Sequence, residues 1–162
     1  MADELEHSAK DIVEVELVRE GISQSLEPLC KVLKIDQSPQ TVQTSSVQHL
    51  KFAITGTLGE SVDDADLVMS LSPTPAVGGL PKDGAVRAIA ELEPFDRGWY
   101  AGPVGWISRD AATFAVAIRS ALIERSEIHL YSGAGLVAGS DPETEWQELE
   151  SKIGPYLRMF GL

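Results

Sequence analysis

The sequence is poor in basic side chains, in cysteine and in long apolar runs. It has 13 Lys and Arg residues against 25 Asp and Glu residues, a formal net charge of −12. This charge argues against a nucleic-acid partner, because such proteins need a basic patch. The one cysteine, Cys30, cannot form an internal disulfide, and no Cys/His cluster has zinc spacing. No segment approaches the roughly 18 consecutive apolar residues of a membrane span. We therefore expect a cytoplasmic protein with neither a nucleic-acid nor a membrane partner.

An apolar fraction of 43% is nevertheless typical of a folded domain. Apolar spacings of three and four predict a helix from Ser8 to about Leu33, with a kink at Pro28. Three further helices are predicted, over residues 63–71, 82–92 and 141–160. Alternating or branched apolar segments predict four strands, over residues 47–58, 98–108, 113–124 and 127–138. A polar connection at 36–46 and a Pro/Gly-rich loop at 72–84 separate them. This order predicts an α+β fold with a largely antiparallel sheet and flanking helices.

Three charged side chains share one stripe of the predicted last helix. Glu145, Glu148 and Lys152 fall at i, i+3 and i+7, within a sector of about 60°. Two carboxylates at the border of an apolar face can offer oxygen ligands to Mg²⁺, and a nearby lysine can hold a substrate carboxylate. The same spacing is typical of a solvated surface with a Glu148–Lys152 ion pair. The spacing alone leaves both interpretations open.

Two further side chains and one glycine-containing loop lie in settings that permit ligand binding. Glu14 borders the apolar stripe of the first predicted helix, where an ordinary surface acid is the simpler interpretation. Arg119 lies in the apolar segment FAVAIRSALI, where its charge needs either an ion-pair partner or an anionic ligand. Gly133 and Gly135 flank Ala134 in a loop that either presents backbone N–H groups to an anion or bends a strand.

Four segments together resemble the C-terminal half of the chorismate-utilising enzymes. They are SAKDIVEVELVREGI from Ser8, SPTPAVGGLPKD from Ser72, EPFDRGWYAGPVGW from Glu93, and YSGAGLVAGSDPETEWQE from Tyr131, followed by Lys152. The third segment is most similar to isochorismate synthases, rather than to anthranilate, aminodeoxychorismate or salicylate synthases. The resemblance covers essentially the whole chain and implies one partial domain over residues 1–162.

The resemblance implies Mg²⁺-dependent isomerisation of chorismate to isochorismate, in menaquinone, siderophore or salicylate biosynthesis. The positions that match the family's magnesium site are Glu14, Glu145 and Glu148. The positions that match groups holding or flanking the substrate are Tyr100, Arg119, Gly135 and Lys152. A magnesium ion bridging to a substrate carboxylate would explain how an acidic protein accepts an anion.

Two departures from the family pattern qualify this expectation. Ser72 stands where the family's HPTPA motif has histidine, so an imidazole is missing there. The family's base and acid belong to its N-terminal half, and neither of those motifs occurs in this sequence. We therefore expect the chain to contribute no catalytic base or acid and to need an N-terminal half or a complementary chain. The alternatives are a non-catalytic chorismate-binding module or subunit and a salicylate synthase-type activity.

Overall fold

The computed structural model describes residues 9–43 and 48–161, which form two compact units. The first unit ends at Arg87 and the second begins at Ala88. The helices are α1 Ala9–Leu26, α2 Asp64–Leu71, α3 Pro75–Gly78, α4 Lys82–Leu92 and α5 Pro142–Met159, with a 3-10 turn at Glu27–Leu29. The strands are β1 Cys30–Ile35, β2 Gln40–Gln43, β3 Gln48–Lys51, β4 Ile54–Leu58, β5 Pro103–Ile107, β6 Ala112–Val116, β7 Ser120–Glu124 and β8 Glu127–Tyr131. The predicted α+β class is confirmed, whereas the single domain stays a prediction.

The described strands form four separate antiparallel pairs rather than one sheet. The pairs are β1–β4, β2–β3, β5–β6 and β7–β8. The predicted strand over 47–58 is interrupted because Ala53 donates its N–H to the Asp36 carboxylate and accepts from the Asp36 N–H, at 2.9 and 3.0 Å. The predicted strand over 113–124 is interrupted because Arg119 adopts a left-handed φ of 49°, which a strand cannot accommodate. Two predicted strands therefore become four.

The first helix ends earlier than its apolar spacing predicts. α1 stops at Leu26, Pro28 lies in the first turn of the 3-10 segment, and Cys30–Ile35 is a strand. Proline lacks the N–H that a continuing helix needs, and pairing of β1 with β4 then satisfies the following backbone groups. The polar connection likewise contains β2, whose cross-strand bonds override its weak propensity. Ser8 and Val47 lie outside the described residues.

Close helix contacts organise the first unit. Gly21 of α1 faces α3 and the loop after it, where a Cβ would lie 2.5 Å from Pro75 Cγ and 3.1 Å from Leu80 Cδ1. The Ser70 hydroxyl of α2 donates to the Ser25 carbonyl at 2.8 Å, which ties α2 to the end of α1. Glycine at position 21 is therefore what lets the backbone of α1 approach its neighbours.

Few of the described side chains are shielded from solvent. The buried residues are Gly21, Gly78, Ala101 and Glu145. Large apolar side chains remain exposed on both faces of the β5–β6 pair, because successive residues along each strand point to opposite faces. No helix in the described part of the chain combines the length and the apolarity that a membrane crossing requires.

Candidate functional site

Helix α5 is positioned by a side-chain cap at its first turn. The Asp141 carboxylate accepts from the Thr144 N–H at 3.0 Å and from the Thr144 hydroxyl at 2.9 Å, and Pro142 follows with a backbone suited to N1. These hydrogen bonds hold the pKa of Asp141 below its ordinary value, because they favour the ionised form. The cap fixes where the helix begins, and thus which way its later charged residues face.

The charged stripe of α5 is only partly on a solvated surface. Glu145 is 5% exposed, so a carboxylate is buried one turn into the helix. Lys152 Nζ lies 2.6 Å from Glu148 Oε1, which confirms the expected ion pair. The same ammonium group donates to the Gly133 carbonyl at 2.9 Å. Lys152 therefore joins the helix to the loop that follows β8.

The GAG loop lies beside an aromatic side chain. β8 ends at Tyr131, so residues 132–138 are loop rather than the predicted strand. A Cβ at Gly133 would lie 2.5 Å from the Tyr100 hydroxyl oxygen, so a larger residue there would displace that hydroxyl. The structure thus brings Tyr100, Lys152 and Glu148 together around Gly133, and Gly135 lies two residues further along the same loop.

An ion pair and a second aromatic ring surround Tyr100. The Arg97 guanidinium donates to both Glu93 carboxylate oxygens, at 2.8 and 2.6 Å, and lies 5.7 Å from the Tyr100 ring centroid. The Tyr131 ring stacks on Tyr100 with centroids 5.5 Å apart and planes 21° apart. Burial raises the pKa of Tyr100 above its ordinary value, and the Arg97 charge opposes that shift. Sequence reasoning missed this pair, although the i, i+4 spacing of Glu93 and Arg97 was available as a signal.

Arg119 lies between β6 and β7 with an exposed side chain. Its guanidinium forms no ion pair with any residue that the structure describes, so of the two sequence interpretations the sheet ion pair is not supported. Its backbone is held instead, because the Tyr156 hydroxyl donates to the Arg119 carbonyl. Tyr156 follows Lys152 by one helical turn on α5, and sequence reasoning did not single it out.

The remaining two candidates lie in the first unit. Glu14 is half-buried on α1. Ser72 is the cap residue that follows α2, and its N–H donates to the Val68 carbonyl at 3.0 Å. Its carbonyl accepts from Lys82 Nζ at 2.7 Å. The hydrogen bonds of Ser72 to the described residues therefore involve its backbone, and none of them replaces an imidazole.

The donor chemistry of α5 fits magnesium. Within residues 9–43 and 48–161, no group of three or more His, Cys, Asp or Glu side chains is arranged to hold a metal ion. Magnesium, however, is commonly held through one or two carboxylates, with water and substrate completing its shell. The buried Glu145 and the half-buried Glu148 supply oxygen ligands of that kind from one helix. The magnesium ligands and the substrate-binding residues stay predictions.

Residues 1–161 match the family model described as "Chorismate binding enzyme". The chain belongs to this family. It is similar to isochorismate synthase MenF of Bacillus subtilis, 43% identical over 98% of this chain and 34% of that protein. It is also similar to isochorismate synthase DhbC of the same organism, 43% identical over 99% of this chain and 41% of that protein.

The fold of this family member is also that of a solved relative. The crystal structure of DhbC from Bacillus anthracis superposes with a TM-score of 0.91 at 36% identity, covering 99% of this chain and 44% of that chain. The chain therefore spans less than half the length of the relatives it matches. The family resemblance expected from the four sequence segments is confirmed.

Proposed function

We propose that this chain forms the metal- and carboxylate-binding side of an isochorismate synthase-type site, which converts chorismate to isochorismate. One observation carries the proposal: Lys152 Nζ lies between the Glu148 carboxylate and the Gly133 carbonyl. Gly133 belongs to the loop that lies beside Tyr100. All four residues belong to the segments that resemble isochorismate synthases. An ammonium group held by two oxygens is oriented in advance for a third, anionic partner.

The substrate is a dianion, and the protein's net charge is −12. Binding therefore needs local cations, and Lys152 and the exposed guanidinium of Arg119 supply them. Tyr100 presents an aromatic ring and a hydroxyl to one side of the same loop. In the reaction, water forms a bond to C2 of the ring, both ring double bonds shift, and the C4–O bond breaks. One water is consumed and one is released.

Glu145 and Glu148 of the second unit would hold magnesium. Bound Mg²⁺ supplies positive charge to the substrate's ring carboxylate. Glu145 is 5% exposed and lies one turn before Glu148 in a segment that resembles isochorismate synthases, which supports a ligand role for both carboxylates.

The displacement also needs a general base for the attacking water and a general acid for the leaving hydroxyl. We assign neither to these residues and infer that an N-terminal half, in the same polypeptide or in a complementary chain, supplies both. The β5–β6 pair supports this inference, because Val104 and Trp106 are 58% and 54% exposed on one face and Ile107 is 60% exposed on the other. An isolated two-stranded pair with apolar side chains on both faces is marginal in water.

The test is a reconstitution with chorismate and Mg²⁺. The purified chain is assayed alone and with the N-terminal part of Bacillus subtilis DhbC that lies outside the matched region. We expect isochorismate only from the mixture. Turnover by the chain alone would contradict the inference that the base and the acid lie outside these residues. Absence of turnover, with binding of chorismate retained, would favour the non-catalytic module.

Matched variants on α5 then test the residues. Lys152→Met keeps much of the stem but removes the charge, and we expect chorismate to bind about 10- to 100-fold more weakly, the cost of one charged hydrogen bond. Glu150→Gln on an exposed position of the same helix is the control and should bind normally. Equal binding by both variants would contradict the role of Lys152.

The non-catalytic module is the second candidate, and Ser72 is the observation that favours it. A serine cannot supply the cationic or acid–base capacity of an imidazole. Ser72→His therefore discriminates the two functions: it should raise turnover of a reconstituted enzyme and leave a pure binding module without turnover. Product analysis separates the salicylate synthase-type alternative, which releases pyruvate in addition.

A further inference from the structure

Arg97 is held more firmly than an exposed arginine requires. Its two hydrogen bonds to Glu93 fix the plane of the guanidinium, and the two side chains are 25% and 28% exposed. The fixed cation lies 5.7 Å from the centre of the Tyr100 ring, within the range of a cation–π contact. Glu93 and Arg97 are only four residues apart, so the local backbone is enough to align the guanidinium with the carboxylate.

The position of Tyr100 has consequences further along the chain. Its hydroxyl occupies the space where a side chain at position 133 would be, and the Gly133 carbonyl accepts from Lys152. Ala101, the next residue, is 7% exposed and has a φ of 66°, and its N–H donates to the Ala117 carbonyl at 2.9 Å. The backbone beside Tyr100 is thus fixed, and the ring's remaining freedom is set by its side-chain neighbours.

We propose that Arg97, held by Glu93, is a positioning residue that fixes the Tyr100 ring against Gly133 and thereby sets the orientation of Lys152 toward an anionic ligand. The last step rests on the function proposed above. Arg97 itself touches no substrate: it acts through Tyr100. The groups around the Tyr100 ring in this unit are Arg97, Glu93, Tyr131 and the Gly133 backbone.

The first experiment needs no ligand and follows ionisation of Tyr100 by ultraviolet absorbance in the full chain, with Tyr100→Phe identifying its signal. Arg97→Gln removes a cation that favours the tyrosinate. If the ring stays in place, the pKa of Tyr100 rises further above its ordinary value. If the ring is instead released into water, the pKa returns toward its ordinary value. That return is the expected result, because the proposal makes Arg97 the group that holds the ring.

The control is Arg87→Gln, which alters an exposed arginine of the first unit whose Nε donates to the Asp83 carbonyl at 3.1 Å. It should leave the Tyr100 pKa unchanged. Arg97→Lys keeps the charge but loses the two parallel hydrogen bonds to Glu93. The pKa of Tyr100 in this variant should therefore lie between that of the unmodified chain and that of Arg97→Gln. A further rise of the pKa in Arg97→Gln, or no change, would overturn the positioning role.

The second experiment measures chorismate binding in a double-mutant cycle. Arg97→Gln should weaken binding about 3- to 10-fold, in the range of a cation–π contact, and should have almost no effect in a Tyr100→Leu background. Equal effects in both backgrounds would overturn action through Tyr100. If the unmodified chain binds no chorismate, the proposed function and the ligand step fail together, whereas the ionisation experiment still decides whether Arg97 holds Tyr100.

Discussion

Different interactions stabilise the inside of each of the two units of this chorismate binding family member. In the first unit, α1 meets its neighbours through an apolar contact at Gly21, where Pro75 and Leu80 occupy the space of a side chain. In the second unit, a series of polar and aromatic contacts runs from Glu93 to Glu148. Steric changes should therefore act on the stability of the first unit, and changes of charge or hydroxyl groups on ligand binding in the second.

Gly21→Ala should have the largest effect on stability. Alanine favours a helix by up to about 1 kcal/mol, but its methyl group would lie 2.5 Å from Pro75 Cγ. Overpacking of that kind costs about 3 kcal/mol, so we expect a net loss of about 2 kcal/mol in the free energy of unfolding, measured with urea. Gly59→Ala is the control, because its Cβ would meet Val62 Cγ2 at an ordinary 3.4 Å. Equal losses in both variants would contradict the close-contact explanation.

Gly133→Ala should have a smaller effect on stability and a larger one on binding. Its methyl group would lie 2.5 Å from the Tyr100 hydroxyl, which must move. We expect a loss of about 1 kcal/mol of stability and a weakening of chorismate binding by about tenfold. Gly154→Ala on α5 meets only the flexible end of Arg158 at 3.2 Å, so it should leave binding unchanged and stability equal or slightly higher. Normal chorismate binding by Gly133→Ala would show that the loop containing Gly133 plays no part in binding.

Tyr156→Phe removes one hydroxyl group and leaves the ring. The lost hydrogen bond to the Arg119 carbonyl should cost about 1 kcal/mol of stability, measured by urea denaturation. Because Arg119 adopts a left-handed conformation, loss of that restraint should also weaken chorismate binding. In an Arg119→Ala background the binding effect should disappear. Persistence of the effect there would assign Tyr156 a role unrelated to Arg119.

The comparison of units also explains what the sequence could and could not predict. Helix α4 was predicted with its bounds, and α5 within a residue or so, because capping and amphipathic spacing are local signals. The Glu148–Lys152 ion pair, also a local signal, belonged to one of the two interpretations that the spacing left open. The end of α1 was not predicted, since the β1–β4 pairing joins segments distant in the sequence. Neither was the contact between Tyr100 and Gly133, which depends on tertiary packing across about 30 residues.

Acidification gives the smallest of these effects on stability. It distinguishes the stability of one unit from that of the other without a mutation. The hydrogen bonds from Arg97 lower the pKa of Glu93 below its ordinary 4.5. A carboxylate with a lowered pKa in the folded state stabilises fully above its ordinary value, and that contribution is lost as the pH falls through the folded value. For a pair with side chains 25% and 28% exposed, we expect this contribution to the free energy of unfolding to be about 0.5 kcal/mol.

The second unit should therefore loosen first as the pH falls below about 4.5, and near-ultraviolet circular dichroism of the stacked tyrosines should report it. Glu93→Gln is the matched variant, because it lacks the titrating group. Its tyrosine signal should be weaker at neutral pH. The signal should also change less between a pH above about 4.5 and a pH below it. An unchanged acid response in Glu93→Gln would show that another carboxylate controls the transition. A reduced one would tie the acid sensitivity of the second unit to the pair that holds Tyr100.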